Sequence, residues 1–196
     1  MKPLLLCVAV LLATLKGNTQ FVLKPDGFET ANGGKYFIVE VPDKSQQELF
    51  KEVKNKIMAN YGAFYDQSRI TTNTSDEITL KTVDKKRLVY YEKNFDISFQ
   101  IRIEFKEGRI KVNAPVIQTI NNSKARNTAP GTVLYVRYPG KTVSFNGNGF
   151  TIVKKDLYVF DRKGKLKNKQ LQQLLETAFN DQILPAILPA KDRAGW

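Results

Sequence analysis

The sequence predicts an α+β domain: an antiparallel sheet with two helices packed on one face, and a strand-rich insert ahead of the C-terminal helix. Three observations predict it. Phe95, Ile97, Phe99, Ile101, Ile103 and Phe105 alternate with Asp96, Ser98, Gln100, Arg102, Glu104 and Lys106, a period of two that gives a strand one buried and one solvated face. Glu107-Gly108 then makes a tight turn into a second alternating run, Arg109 to Val116, so the pair reads as a hairpin. Two other segments carry apolar residues at spacings of three and four, the mark of helices with one buried side. An antiparallel sheet with one apolar face is covered by such helices.

The elements follow in chain order. Tyr36 to Val41 is rich in β-branched and aromatic residues and stops at Pro42, which cannot donate to a ladder. Ser45 and Glu48 form a capping-box pair, after which Leu49, Phe50, Val53, Ile57, Met58 and Tyr61 mark a helix that ends near Gly62. A weaker strand covers Glu77 to Val83, and Asp84 to Arg87 reads as a charged, solvated loop. After the hairpin, Gln118 to Gly131 shifts to Asn, Ser, Lys, Thr, Ala and Pro and reads as a loop. Val133 to Tyr138, Thr142 to Phe145 and Gly149 to Phe160 read as further strands of a meander or small extra sheet, linked by Pro139-Gly140 and Asn146-Gly147-Asn148. Asp161 to Lys165 is a basic turn. Leu171, Leu174, Leu175, Ala178 and Phe179 then define the second helix, expected to stop before Pro185, and the tail to Trp196 has no period.

Composition bounds the chemistry. The 196 residues are 42% hydrophobic, with 31 Lys+Arg against 19 Asp+Glu and a net charge of +12, a globular composition suited to anionic surroundings. The absence of histidine removes Ser-His-Asp and Cys-His catalysis and histidine metal sites together. Lys2, the apolar run Leu4 to Leu15, and the small residues Gly17 and Thr19 lay out a signal peptide over 1–19, with the domain at 20–196 and its insert at about 118–165. That run is too short to span a membrane, so no transmembrane helix is expected in the mature chain. Cleavage before Gln20 would remove Cys7, the single cysteine, leaving no disulfide and no thiolate. The expected location is the periplasm or cell envelope.

Four strings carry a family resemblance: Phe21-Val-Leu-Lys-Pro-Asp-Gly-Phe28, Tyr36 to Pro42, Phe105-Lys-Glu-Gly-Arg-Ile-Lys-Val-Asn113 and Leu157-Tyr-Val-Phe-Asp-Arg-Lys-Gly-Lys-Leu-Lys167. With the order of elements they resemble a bacterial domain of unknown function with a TBP-like fold, found in secreted proteins of gut-type Gram-negative bacteria. The resemblance implies that fold over most of the mature chain and a bacterial source. It brings no active site, and the extension from Pro185 to Trp196 departs from its pattern.

A search for catalytic motifs finds none. Gly140-Lys141-Thr142 resembles the end of a P-loop, but Tyr135 stands where the first glycine belongs. G-x-S-x-G and S-x-x-K are absent, as is a calcium loop. Asp96 and Glu104 share a polar strand face but are separated by roughly 27 Å at 3.4 Å per residue. No cofactor, metal site or catalytic residue is expected. Basic residues remain: Gln100, Arg102 and Lys111 on the outward face of the hairpin, extended by Arg137 and Lys154 if the insert lies alongside, are the candidate binding residues for anionic groups. Tyr90, Tyr91, Tyr135 and Tyr138 would serve as stacking platforms for nucleic acid, a partner that export disfavours. The expected function is that of a non-catalytic envelope module binding an anionic glycan, a lipid headgroup or another envelope protein. The competing readings are a hydrolase using carboxylates or a Ser-Lys pair, and a structural subunit of an envelope assembly.

Overall fold

The structure, a computed structural model, describes residues 20–61, 69–90, 93–122, 133–139 and 156–189. Within them the chain runs β1 (Phe21–Lys24), β2 (Gly27–Thr30), β3 (Tyr36–Glu40), α1 (Gln46–Tyr61), β4 (Arg69–Thr74), β5 (Glu77–Tyr90), β6 (Lys93–Lys106), β7 (Arg109–Asn113), β8 (Val116–Asn122), β9 (Val133–Arg137), β10 (Asp156–Phe160) and α2 (Lys169–Thr177). A π-helical turn (Ala178–Ile183) carries α2 on into α3 (Leu184–Ile187). The leader 1–19, the strand expected at 142–145, the first part of that expected at 149–160, Tyr91, Lys154 and residues 190–196 of the tail lie outside the described residues.

The alternation in β6 does what its period dictates. Phe95, Ile97, Phe99, Ile101, Ile103 and Phe105 are all buried. One edge of β6 pairs with β5 along most of its length, and the other is divided, β7 taking Ile103 to Lys106 and β8 taking Phe95 to Gln100. The sheet order is β3-β7-β6-β5-β4 with β8 beside β6, and every pair in it is antiparallel. The turn between β6 and β7 depends on Gly108, whose φ of +67° favours glycine and whose added Cβ would stand 3.4 Å from Pro42 Cα.

α1 packs on β5, β6 and β7, while α2 reaches β5, β1 and β10. Ser45 caps α1 as the sequence predicts: its N–H donates to Glu48 Oε2 at 2.8 Å, and its Oγ accepts from the Glu48 N–H at 3.3 Å. Leu49, Val53, Ile57 and Tyr61 form the buried stripe, with Phe50 meeting Phe105 edge-on at 5.8 Å and Met58 left exposed. Beside the helices lies the β1–β2 hairpin. Phe21 and Phe28 enter an aromatic cluster centred on Phe179, whose ring lies 5.4 Å from Phe99, 5.7 Å from Phe28 and 5.9 Å from Phe21. The outer edge of β1 is paired by side chains of the C-terminal helix. Asn180 accepts from Phe21 N–H at 3.0 Å and donates to Phe21 C=O at 2.8 Å, while Glu176 and Gln172 do the same for Leu23.

The α+β class holds, with two main helices and a mainly antiparallel sheet, and five local expectations are corrected. β5 runs straight through Asp84 to Arg87, with a register shift between Asp84 and Leu88 absorbing the charged stretch. Gln118 to Asn122 belongs to a strand, β8, and not to the expected loop, because β7 leaves the first half of the β6 edge open for it. β9 and β10 form a small extra sheet, one of the two expected arrangements, but pair in parallel rather than as a meander. The C-terminal helix continues past Pro185, which falls in the first turn of α3 where a missing N–H costs little. β1, β2 and β4 are strands for which the composition gives no alternation.

Two substitutions test this core. Phe179→Ala should cost about 3–5 kcal/mol in denaturant unfolding, since it empties the centre of the aromatic cluster. Thr82 is fully buried, and its hydroxyl has no hydrogen-bond partner among the described residues, so Thr82→Val should raise stability by about 1 kcal/mol. A loss on Thr82→Val would mean the hydroxyl is satisfied.

Candidate functional site

The outward sheet face puts Arg102 and Lys111 beside carboxylates. Glu77 of β5 stands directly across from Glu104 of β6, and Glu104 from Lys111 of β7. Arg102 donates to Glu77 Oε2 from Nε at 2.9 Å and pairs with it through Nη2 at 2.7 Å, with Glu104 Oε1 3.6 Å from its Nε. Lys111 Nζ reaches both Glu104 oxygens at 3.2 and 3.3 Å and lies 4.8 Å over the Tyr36 ring. Asn113 donates to Glu104 Oε1 at 2.9 Å and to the Arg102 carbonyl at 3.1 Å. Gln100 accepts from Gln118 of β8 at 3.2 Å. Arg102 and Lys111 are thus close neighbours, as the alternation requires, but each already faces a glutamate.

Arg137 belongs to a different surface. The parallel register Phe160↔Arg137 sets it beside the turn that follows β10, where its Nε and Nη2 donate to the Arg162 carbonyl at 3.3 and 2.7 Å. Its Nη1 meets Asp26 of the β1–β2 turn at 3.0 Å. Arg162 lies 5.8 Å over Tyr138, whose ring stacks on Tyr158 at 4.8 Å. Of the other tyrosines considered, Tyr90 is buried and bonded by Asn168, and Tyr135 is half-buried. Lys154 lies outside the described residues; of the other four candidates, Gln100, Arg102 and Lys111 share the outward sheet face and Arg137 is held at the turn after β10.

The turn that Arg137 joins is strongly basic. Arg162, Lys163, Lys165, Lys167 and Lys169 fall within eight residues and all are exposed. Asp161 shapes the turn: its Oδ1 accepts from the N–H groups of Lys163 and Lys165 at 2.9 Å each. These bonds, with that of Lys165 foremost, hold its carboxyl below the ordinary range. Lys167 Nζ is 3.5 Å from its Oδ2. Among the described residues no carboxylate pairs with Lys163, Lys165 or Lys169. Gly164 has φ +79°, and a Cβ there would press to 3.1 Å on Pro25 Cγ, so the turn is seated on the β1–β2 turn. Sequence reading sees the charges but only as a solvated turn; their junction with Arg137 comes from the β9–β10 register, which no local pattern encodes.

Glu77 and Glu104 are two carboxylates brought together by cross-strand register, which pairing along one strand misses. Asn113 first, then Lys111 and Arg102, hold the Glu104 carboxyl below its ordinary range, against the effect of burial. A glycosidase acid needs the opposite shift. Among the described residues, no group of three His, Cys, Asp or Glu side chains is placed to hold a metal, and no helix is long and apolar enough to cross a membrane.

The lowered carboxyl sets a pH dependence. Glu104 binds its proton more weakly in the folded chain than in the unfolded one, so its stabilisation is complete above its ordinary pKa of 4.5 and is lost as pH falls through the lower folded value. Glu104→Gln should therefore lower the thermal midpoint at neutral pH, and the gap to wild type should close below about pH 4. A gap constant across that range would show that the charge is not what stabilises.

No protein-family model matches the chain, and no curated protein matches it. Two solved structures are similar. A TBP-like protein from Parabacteroides distasonis is 20% identical over 42% of this chain, with a TM-score of 0.38; the chain spans about half of that protein, 53%. A DUF4468 family protein from Bacteroides ovatus is 14% identical over 81% of this chain and 87% of its own, with a TM-score of 0.47. The chain is thus an α+β protein structurally similar to bacterial TBP-like and DUF4468 domains, whose names assign no ligand and no reaction.

Proposed function

We propose that the protein is an exported, non-catalytic envelope module that binds an acidic glycan through the turn following β10. The observation that carries this reading is the run Arg162, Lys163, Lys165, Lys167 and Lys169, backed by Arg137 and shaped by Asp161 alone. Lys165 and Lys167 flank Leu166, which bridges Phe160, so this stretch is extended and their Cα atoms are spaced by about 7 Å. Repeated cations along an extended stretch suit repeated anions along a polymer. Export rests on the leader at 1–19. The non-catalytic reading rests on the lack of histidine and on the lowered, ion-paired state of Glu104.

The test is binding of the purified protein to polygalacturonate, with neutral dextran and phosphatidylglycerol vesicles as comparison probes, at low and moderate salt. Polygalacturonate should bind saturably and more weakly as salt rises, because the contacts are exposed charges. Lys163→Ala/Lys165→Ala/Lys169→Ala should weaken it by tenfold or more, about 1.4 kcal/mol. Arg102→Ala/Lys111→Ala should leave it unchanged, since those cations already face Glu77 and Glu104. Binding to the vesicles alone would replace the glycan with a lipid headgroup. Binding to neither, or binding indifferent to the triple substitution, would overturn the proposal.

A further inference from the structure

Among the described residues, β3 is an edge of the six-stranded sheet with one partner, β7. Its pairing phase is fixed at both ends, by Ala114 N–H donating to Lys35 C=O and Val41 N–H to Gly108 C=O, both at 2.7 Å. Bonded pairs alternate in an antiparallel ladder, so Phe37 and Val39 turn their backbone groups to β7. The N–H and C=O groups of Tyr36, Ile38 and Glu40 therefore point away from the sheet. No backbone hydrogen bond from the described residues meets them. The side chains on that same register are outward: Tyr36 is 49% and Ile38 41% exposed, rimming a shallow depression of about 180 Å³ with Glu104, Lys106, Arg109 and Lys111. Between Tyr36 and Glu40 the strand has no proline, bulge or inward charge, and its only guards are its short length and the outward charge of Glu40.

We propose that this edge is where two copies of the chain pair, antiparallel about a two-fold axis through Ile38, to form one continuous sheet. The register follows from the chemistry of the strand. With the axis at Ile38, all three free residues of one copy meet those of the other, giving about six interchain bonds. Ile38 then packs on Ile38 of the second copy, and each Tyr36 lies opposite a Glu40. That glutamate comes beside the Lys111 ammonium, which already sits 4.8 Å over the Tyr36 ring, so opposite charges meet twice by symmetry. Moving the axis to Glu40 would place like charges opposite one another, and moving it to Tyr36 would leave the Glu40 groups unpaired. An axis at Phe37 or Val39 keeps the same backbone phase but joins only two of the three outward residues of each strand, about four bonds, so the register about Ile38 is the one that uses all three. This inference is independent of the glycan reading.

Sedimentation velocity on the whole chain up to about 1 mM should show a concentration-dependent dimer. Ile38→Lys, which sets two ammonium groups at the axis, should weaken dimerisation by tenfold or more without changing the circular dichroism or thermal midpoint of the monomer. In a Cys7→Ser background, Ile38→Cys should oxidise to a disulfide-linked dimer, because Cα atoms about 5.5 Å apart in a bonded pair lie within disulfide reach, whereas Val89→Cys, exposed on β5, should not. A monomer at every concentration, a dimer indifferent to Ile38→Lys, or equal crosslinking at both cysteines would overturn the proposal.

Discussion

The rest of the structure depends on β6 having two unlike faces and one divided edge. Its six inward side chains are three phenylalanines and three isoleucines, a surface long enough to receive α1, the C-terminal helix and the β1–β2 hairpin together. Because a strand of this length outruns β7, the remaining edge must be met by another strand or leave polar backbone groups without partners. β8 supplies it, and the kink at Ala114-Pro115 separates the two partners along one edge. The hairpin and helices then follow by packing, Phe21, Phe28 and Phe179 converging beneath Phe99.

The seam between β1 and the C-terminal helix solves a related problem. A two-stranded hairpin laid against helices would bury the outer backbone groups of β1. Asn180, Glu176 and Gln172 answer them with side-chain amides and a carboxylate, taking the place of a neighbouring strand. Those residues lie four apart along the helix, the spacing of one face. The π-helical turn lies in the same stretch and keeps Asn180 and Phe179 on adjacent sides, one bonding β1 and the other filling the core.

Much of this is legible in the sequence because it is local. The alternation of β6, the Gly108 turn and the Ser45–Glu48 cap each need only a few neighbouring residues to specify them, and each is where its pattern places it. What escapes is set by distant partners. Gln118 to Asn122 is mostly polar and joins a strand because β6 offers an open edge. Asp84 to Arg87 stays in β5 because the ladder on either side is strong enough to carry a register shift. The candidate site divides in the same way. The outward phase of Arg102 and Lys111 follows from period two, but the glutamate across from each depends on strand register, and Arg137 is brought to the basic turn by a parallel pairing that composition does not signal.

That division explains why the free charge sits where it does. In a sheet, every outward residue has fixed neighbours about 5 Å away on both sides, so an excess of lysine and arginine there would be held in repulsion. Glu77 and Glu104 relieve it around Arg102 and Lys111, while Lys106 and Arg109 at the end of the hairpin, directly across from each other, have no ion pair among the described residues. A turn imposes no such neighbours. Between Asp161 and Lys169 the backbone provides the order, through the two N–H bonds to Asp161 and the seat of Gly164 on Pro25, and the side chains are left to solvent. Part of the net charge of +12 thus stays on the sheet, and part is gathered on a turn whose backbone, not its side chains, supplies the order.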